Sequence, residues 1–266
     1  MRTAQDPSPG EIRGGPVRGV SPYDRRVTDQ APGQVGESLA ALTAEITACR
    51  ACPRLVEWRE QVAVEKRAAF RDQEYWGRPA PGFGDPAARI LVAGLAPAAH
   101  GANRTGRVFT GDRSGDWLFA AMHRAGLANQ PTSVAVDDGL RLTDAYVVAA
   151  VRCAPPENKP TTEERDRCLP YPVRELELLA EVQVVVVLGN FAYDAVGRVL
   201  AALGSPLPRP KPRFGHGVEV PTARFTVLGC FHPSQQNTFT GKLTAPMLDD
   251  VFRRARELAD ELPSGR

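Results

Sequence analysis

Four cysteines and one histidine sit where their residue types and spacing suit chemistry. Cys49 and Cys52 form CRAC, while Cys153 and Cys168 are separated by fourteen residues and lie about a hundred residues downstream. Four thiolates are enough for tetrahedral zinc or for an iron–sulfur cluster, and ligand count does not choose between them. Five cysteines in all is an odd number, awkward for a secreted disulfide framework and more natural for a metal site or free thiols in a reducing compartment. Cys230, inside the apolar run FTVLGC, reads as a core residue. His232 opens HPSQQNTFTGKLT, a run of small polar and turn-forming residues between that apolar run and the amphipathic APMLDDVFRRARELADEL. A mere connection needs neither this length nor an imidazole.

The elements that must position these residues are legible. Near-continuous apolar runs at 88–94, 145–151, 182–189 and 223–230 are spaced widely and separated by helical patterns at 116–126, 161–181 and 191–204. This alternation predicts an α/β fold, a single domain with a central four-stranded parallel sheet covered by helices on both faces. Two further helices are expected, one entering CRAC and one over VEWREQVAVEKRAAF, and Thr161 and Thr244 suit N-cap positions. In such a sheet ligands collect beyond the carboxyl ends of the strands. Three loops lie there: GLAPAAHGANRTGRVFTGD, RCAPPENKPT and CFHPSQQNTFTGK.

The totals narrow the class further. With 266 residues, 42% of them apolar, the chain can bury one sizeable core. The 33 basic against 31 acidic residues give no overall field for nucleic acid or membrane, so a polyanion site must be local. No apolar stretch approaches a membrane span or a signal core, and a cytoplasmic location is expected. Residues 1–36 hold eleven Gly and Pro, with five Arg against four acidic residues, and read as a disordered tail before a domain at 37–266.

The three loops and the four cysteines, in this order and after these strands, resemble family 5 (type B) of the uracil-DNA glycosylase superfamily, related to its iron–sulfur family 4. The resemblance spans about residues 37–262. It implies a monomeric repair enzyme that flips a deaminated base out of DNA and hydrolyses its bond to the sugar. It also implies a structural [4Fe–4S] cluster on Cys49, Cys52, Cys153 and Cys168.

The resemblance assigns chemistry residue by residue. His232 matches the histidine of the HPS motif and would donate a hydrogen bond to the departing base while the sugar becomes cationic. Phe109 matches the phenylalanine that stacks on the extruded base. Gly94, Ala96, Pro97 and Ala98 keep the first loop slim enough for a nucleotide to approach the backbone. Where relatives carry an acidic or amide side chain in this loop, Leu95 and Ala96 stand here. The expected mechanism is therefore dissociative, with Asn103 as the remaining candidate to guide water. The asparagine that family 4 carries before its third cysteine is replaced by Ala149, and base-edge contact passes to Asn158. That exchange suits a wider substrate range including hypoxanthine, ethenocytosine and hydroxymethyluracil. Ser234, Gln235, Asn237, Thr240 and Lys242, with Arg104, Arg107 and Lys159, are the expected DNA contacts. A protein that binds uracil-DNA without turnover, and a zinc-stabilised adaptor without catalysis, are the rival readings.

Overall fold

The computed structural model describes residues 38–261, so the tail expected at 1–36 lies outside the described residues. Helix α1 (Leu39–Ala48) is capped by Ser38, whose Oγ accepts the Ala41 N–H, and α2 (Pro53–Glu65) starts at Cys52 with proline in its first turn. The sheet runs β1 (Phe83–Gly84), β2 (Ile90–Gly94), β3 (Ala145–Ala149), β4 (Val184–Leu188), β5 (Glu219–Pro221) and β6 (Thr226–Cys230). Between them lie α3 (Ala102–Thr105), α4 (Arg113–Arg124), α5 (Thr162–Cys168), α6 (Pro170–Leu178) and α7 (Asn190–Ala202); α8 (Gln235–Phe239) and α9 (Ala245–Glu261) follow.

Strand order is β1-β3-β2-β4-β6-β5. The four strands expected from their apolar runs pair in parallel, while β1 and β5 add antiparallel edges. Those edges are two and three residues long, and β5 ends in a proline that an edge position tolerates, so neither leaves a periodic trace in the sequence. Alternate residues of the central strands serve two cores. Ile90, Val92, Val184 and Val186 face α4 and α9, whereas Leu91, Ala93, Val185 and Val187 face α6 and α7. Helix α9 buries Leu248, Val251, Phe252, Ala255 and Leu258; each large side chain removed from water contributes roughly 1.5–3 kcal/mol.

Two helix expectations change. The single helix expected over 161–181 is divided into α5 and α6, because Pro170 has no N–H to continue the ladder. The second helix stops at Glu65, where Lys66 takes φ +55°, and only a short 3-10 turn follows at Ala68–Phe70. Both threonines cap as expected. Thr161 and Glu164 exchange side-chain and backbone bonds in a capping box, and the Thr244 Oγ1 accepts the Met247 N–H at 3.5 Å.

Candidate active site

Parallel pairing in register brings Gly94 beside Ala149 and Leu188 beside Cys230, so the three loops leave the sheet at one end. Gly94 closes β2. A Cβ there would lie 2.5 Å from the Phe109 Cζ, which means the phenylalanine ring occupies the space that glycine leaves open. Phe109 itself takes φ +55°, an uncommon conformation for a large side chain, and Gly115 at the start of α4 leaves room for its carbonyl. The ring is half-buried and faces His232 across 6.1 Å between centroids, with planes inclined by 36°. Thus the first and third loops meet through the two residues expected to hold and activate a base.

His232 is placed by its own loop. Gly189, at φ +92° after β4, allows the histidine Cβ within 3.4 Å of where a side chain would begin. Asn237 donates from Nδ2 to the His232 carbonyl at 2.9 Å, and its own N–H is accepted by Ser234, the N-cap of α8. Neither ring nitrogen of His232 has a partner among the described residues. Burial pushes its pKa down to about 4, so the imidazole is neutral near pH 7 and keeps one N–H to donate.

The residues named for DNA divide. Asn158 and Lys159 are exposed on the second loop, Asn158 at φ +56°, with the Lys159 Nζ 2.9 Å from the Glu157 carboxylate. Gln235, Thr240 and Lys242 are exposed around α8, and the Lys242 ammonium lies 4.9 Å from the Phe231 ring centre. Ser234 and Asn237 are occupied in holding this loop. Arg104 and Arg107 depart from the expectation of phosphate contact, because both side chains are buried and bonded within the fold. Arg104 donates to the carbonyls of His100 and Gly111 and to Gln73. Arg107 donates to Thr110, Ser133 and the Val136 carbonyl and pairs with both oxygens of Asp138 at 2.8 Å. These arginines brace the first loop from within; spacing in a sequence does not say which way a guanidinium points. Asn103 departs likewise. It is fully buried and donates from Nδ2 to the Arg59 carbonyl at 3.1 Å, a tie between the first loop and α2.

Two residues passed over in the sequence reading stand beside this site. Phe239 on α8 is 69% exposed, with the Arg113 guanidinium over its ring; its signal was a lone large apolar residue in a polar loop. His216 accepts the Phe231 N–H on Nδ1 at 3.2 Å and lies against the Phe231 ring at 5.1 Å between centroids, steadying the residue before His232. No sequence pattern marked it.

Cys49, Cys52, Cys153 and Cys168 line one small cavity between the α1–α2 turn, the exit of β3 and the end of α5. No three Cys, His, Asp or Glu side chains among the described residues converge tightly enough to hold a single metal ion. Burial pushes Cys153 up to about 11 and Cys168 up to about 12, so loading any thiolate-bound group releases protons. Donors already point at the sulfurs, among them the Arg59 Nη1 at 2.9 Å from Cys153 Sγ and the Arg152 backbone N–H at 3.4 Å from Cys168 Sγ, with Arg167 at Cys52 and Tyr171 at Cys49. Arg59 is 2% exposed, its Nε has no partner, and its nearest carboxylate, Glu60, stands 3.8 Å away. A buried cation short of counter-charge beside four thiols fits an anionic thiolate centre. Cys230, buried in β6, donates to the Phe231 carbonyl and stands outside this cavity, as expected of a core residue. A larger cleft of about 720 Å³ borders α1, α2 and Trp76, and none of its lining residues belongs to the three loops.

The model of the uracil DNA glycosylase superfamily matches residues 81–256. The type-5 uracil-DNA glycosylase of Mycobacterium tuberculosis is 58% identical over 224 residues, covering 84% of this chain and 82% of that protein. The type-5 enzyme of Thermus thermophilus is 52% identical, covering 82% and 97% respectively. A type-4 uracil-DNA glycosylase of Archaeoglobus fulgidus is more distant, 30% identical over 58% of this chain. With the site geometry and these matches in agreement, the chain belongs to the uracil DNA glycosylase superfamily and falls with its type-5 members.

Proposed function

We propose that this protein excises uracil from DNA by hydrolysing the N-glycosidic bond, acting as a monomer in the cytoplasm and beginning base repair. The observation that carries the reading is the juxtaposition of Phe109 with a neutral, unpartnered His232 at the carboxyl end of the sheet. The flipped base rests against Phe109, whose apolar face offsets lost stacking by roughly 1–3 kcal/mol. As the bond to the sugar lengthens, negative charge gathers on the base, and the His232 N–H donates to it. A preorganised donor of this kind contributes on the order of 3 kcal/mol to the barrier. With Leu95 and Ala96 in the first loop, Asn103 tied to Arg59, His100 bonded to the Tyr75 hydroxyl and Asp112 accepting the Gly115 N–H, the loop's polar groups are engaged within the fold, which supports departure of the base before water adds.

In this reading Asn158 meets the base edge, which its exposure on the second loop supports, and Lys159 exchanges Glu157 for a phosphate, because an exposed ion pair holds it by only about 0–1 kcal/mol. Gln235, Thr240 and Lys242 contact the backbone, and Phe239 fills space left by the flipped nucleotide. Ala149 and the absence of a tight base-reading amide beside it support acceptance of hypoxanthine, ethenocytosine and hydroxymethyluracil.

Cys49, Cys52, Cys153 and Cys168 would hold a [4Fe–4S] cluster, which supplies structural cross-linking of three chain segments when bound. Four sulfurs around a cavity, faced by Arg59, support it. The test of function is a duplex with one uracil, incubated with metal-replete protein and then alkali. A strand break at the uracil is expected; an intact strand rejects the enzyme reading.

A further inference from the structure

The segment LPRPKPRFGHG, residues 207–217, has entered the site described so far only through His216. It carries Arg209, Lys211 and Arg213 at every second position, each exposed, with prolines between them. Proline fixes φ near −65°, so such an alternation stiffens the run that carries these cations.

Its anchors are on the page. The Tyr193 hydroxyl, on α7, donates to the Pro212 carbonyl at 2.9 Å. The Phe214 ring packs on Tyr193 at 5.8 Å and on Phe231 at 6.3 Å. Two residues on, His216 receives the Phe231 N–H. Phe231 directly precedes His232, and its other neighbour is the Lys242 ammonium. The run is therefore fastened both to the first turns of the helix that follows β4 and to the residue before the candidate catalytic histidine. Lys211 reaches Asp194 in the first turns of α7, which begins just after the carboxyl end of β4.

The acidic group facing this run is Asp194, which pairs with Lys211 and also receives Asn190. Arg209 and Arg213 have no ion-pair or hydrogen-bond partner among the described residues. Arg107 is neutralised by Asp138, and Arg104 is held within the fold by the His100 and Gly111 carbonyls and by Gln73, so neither guanidinium is free to reach a phosphate.

We propose that residues 209–213 form a rigid cationic arm that binds the phosphate backbone of duplex DNA flanking the flipped nucleotide. Arg209 and Arg213 make the contacts and Lys211 holds the arm to α7. The inference rests on the glycosylase reading for its ligand, and its test does not need turnover.

The experiment is equilibrium binding of the full chain to an undamaged duplex, read by anisotropy from about 50 to 200 mM salt, where each phosphate contact adds about 0.9 to the slope of log affinity against log salt. R209Q/R213Q is expected to lower the slope by about 1.8 and to weaken binding roughly tenfold at the low end, the gap closing toward the high end. R209K/R213K, which keeps the charge, should restore the slope, and far-UV dichroism melts establish that each variant is folded. A wild-type slope in folded R209Q/R213Q overturns the arm, as does a loss seen only with single-stranded RNA. Failure of the glycosylase reading would show separately, as an uncut uracil duplex with wild-type protein.

Discussion

Phe109 and His232 face each other across 6.1 Å although they arrive from loops more than a hundred residues apart. The contact depends on small residues at other positions. Gly94 leaves the space the phenylalanine ring fills, and Gly189 lets the histidine come close to the end of β4. The pair is thus a property of the sheet register, and each of its members can be tested.

H232A is expected to slow single-turnover excision by about a hundredfold or more, in line with losing one preorganised donor, and to leave duplex affinity within about twofold. An unchanged rate would remove the histidine from the chemistry.

Burial holds His232 at about 4, below the ordinary 6.5, so the folded state favours the neutral ring. Its contribution to stability is complete above 6.5 and is lost as pH falls toward 4. Thermal melts between those values should show H232Q losing less stability on acidification than wild type. Well above about 4, where the folded ring stays neutral, the excision rate should stay level until unfolding begins.

G94A places a Cβ 2.5 Å from the Phe109 ring, which can turn away at the cost of the site. We expect about 1–3 kcal/mol of destabilisation by denaturant melts, with a slower excision step. In G115A the clash is with the Phe109 carbonyl at 1.8 Å, so the backbone must move and the loss should be the larger of the two.

D138N strips the buried Arg107 of its carboxylate. Burial alone would raise the Asp138 pKa, but Arg107 and the N–H groups of Leu140, Val134 and Ala135 outweigh it and hold it at about 2. The pair therefore stabilises the fold above about 3.8 and is lost only as pH falls through about 2. At neutral pH the variant should lose roughly 3–5 kcal/mol, without the reduced salt slope that loss of a phosphate contact would give.

If the four cysteines hold the proposed cluster, chelation should lower the melting temperature, and C168S should lose both iron and visible absorption. R59L should cost the loaded protein roughly 3–5 kcal/mol while sparing the stripped protein, because the guanidinium is short of counter-charge only when thiols are neutral. Equal losses in both forms would separate Arg59 from the cysteine centre.

The sequence by itself determined the parallel core, since strands buried on both faces must read as unbroken apolar runs, and Val184–Leu188 does so without interruption. It also placed the three loops at one end of that sheet and marked His232, Phe109 and the four cysteines. What only the tertiary structure decided was direction. Arg104 and Arg107 look like DNA contacts in GANRTGRVF, yet Gln73, Ser133 and Asp138, all distant in the chain, draw them inward. Asn103 turns to Arg59 for the same reason, and the edge strands β1 and β5 exist only because a neighbour offers them a ladder. A side chain's type and spacing follow from local order, whereas its partner is chosen by long-range packing, which no window of sequence contains.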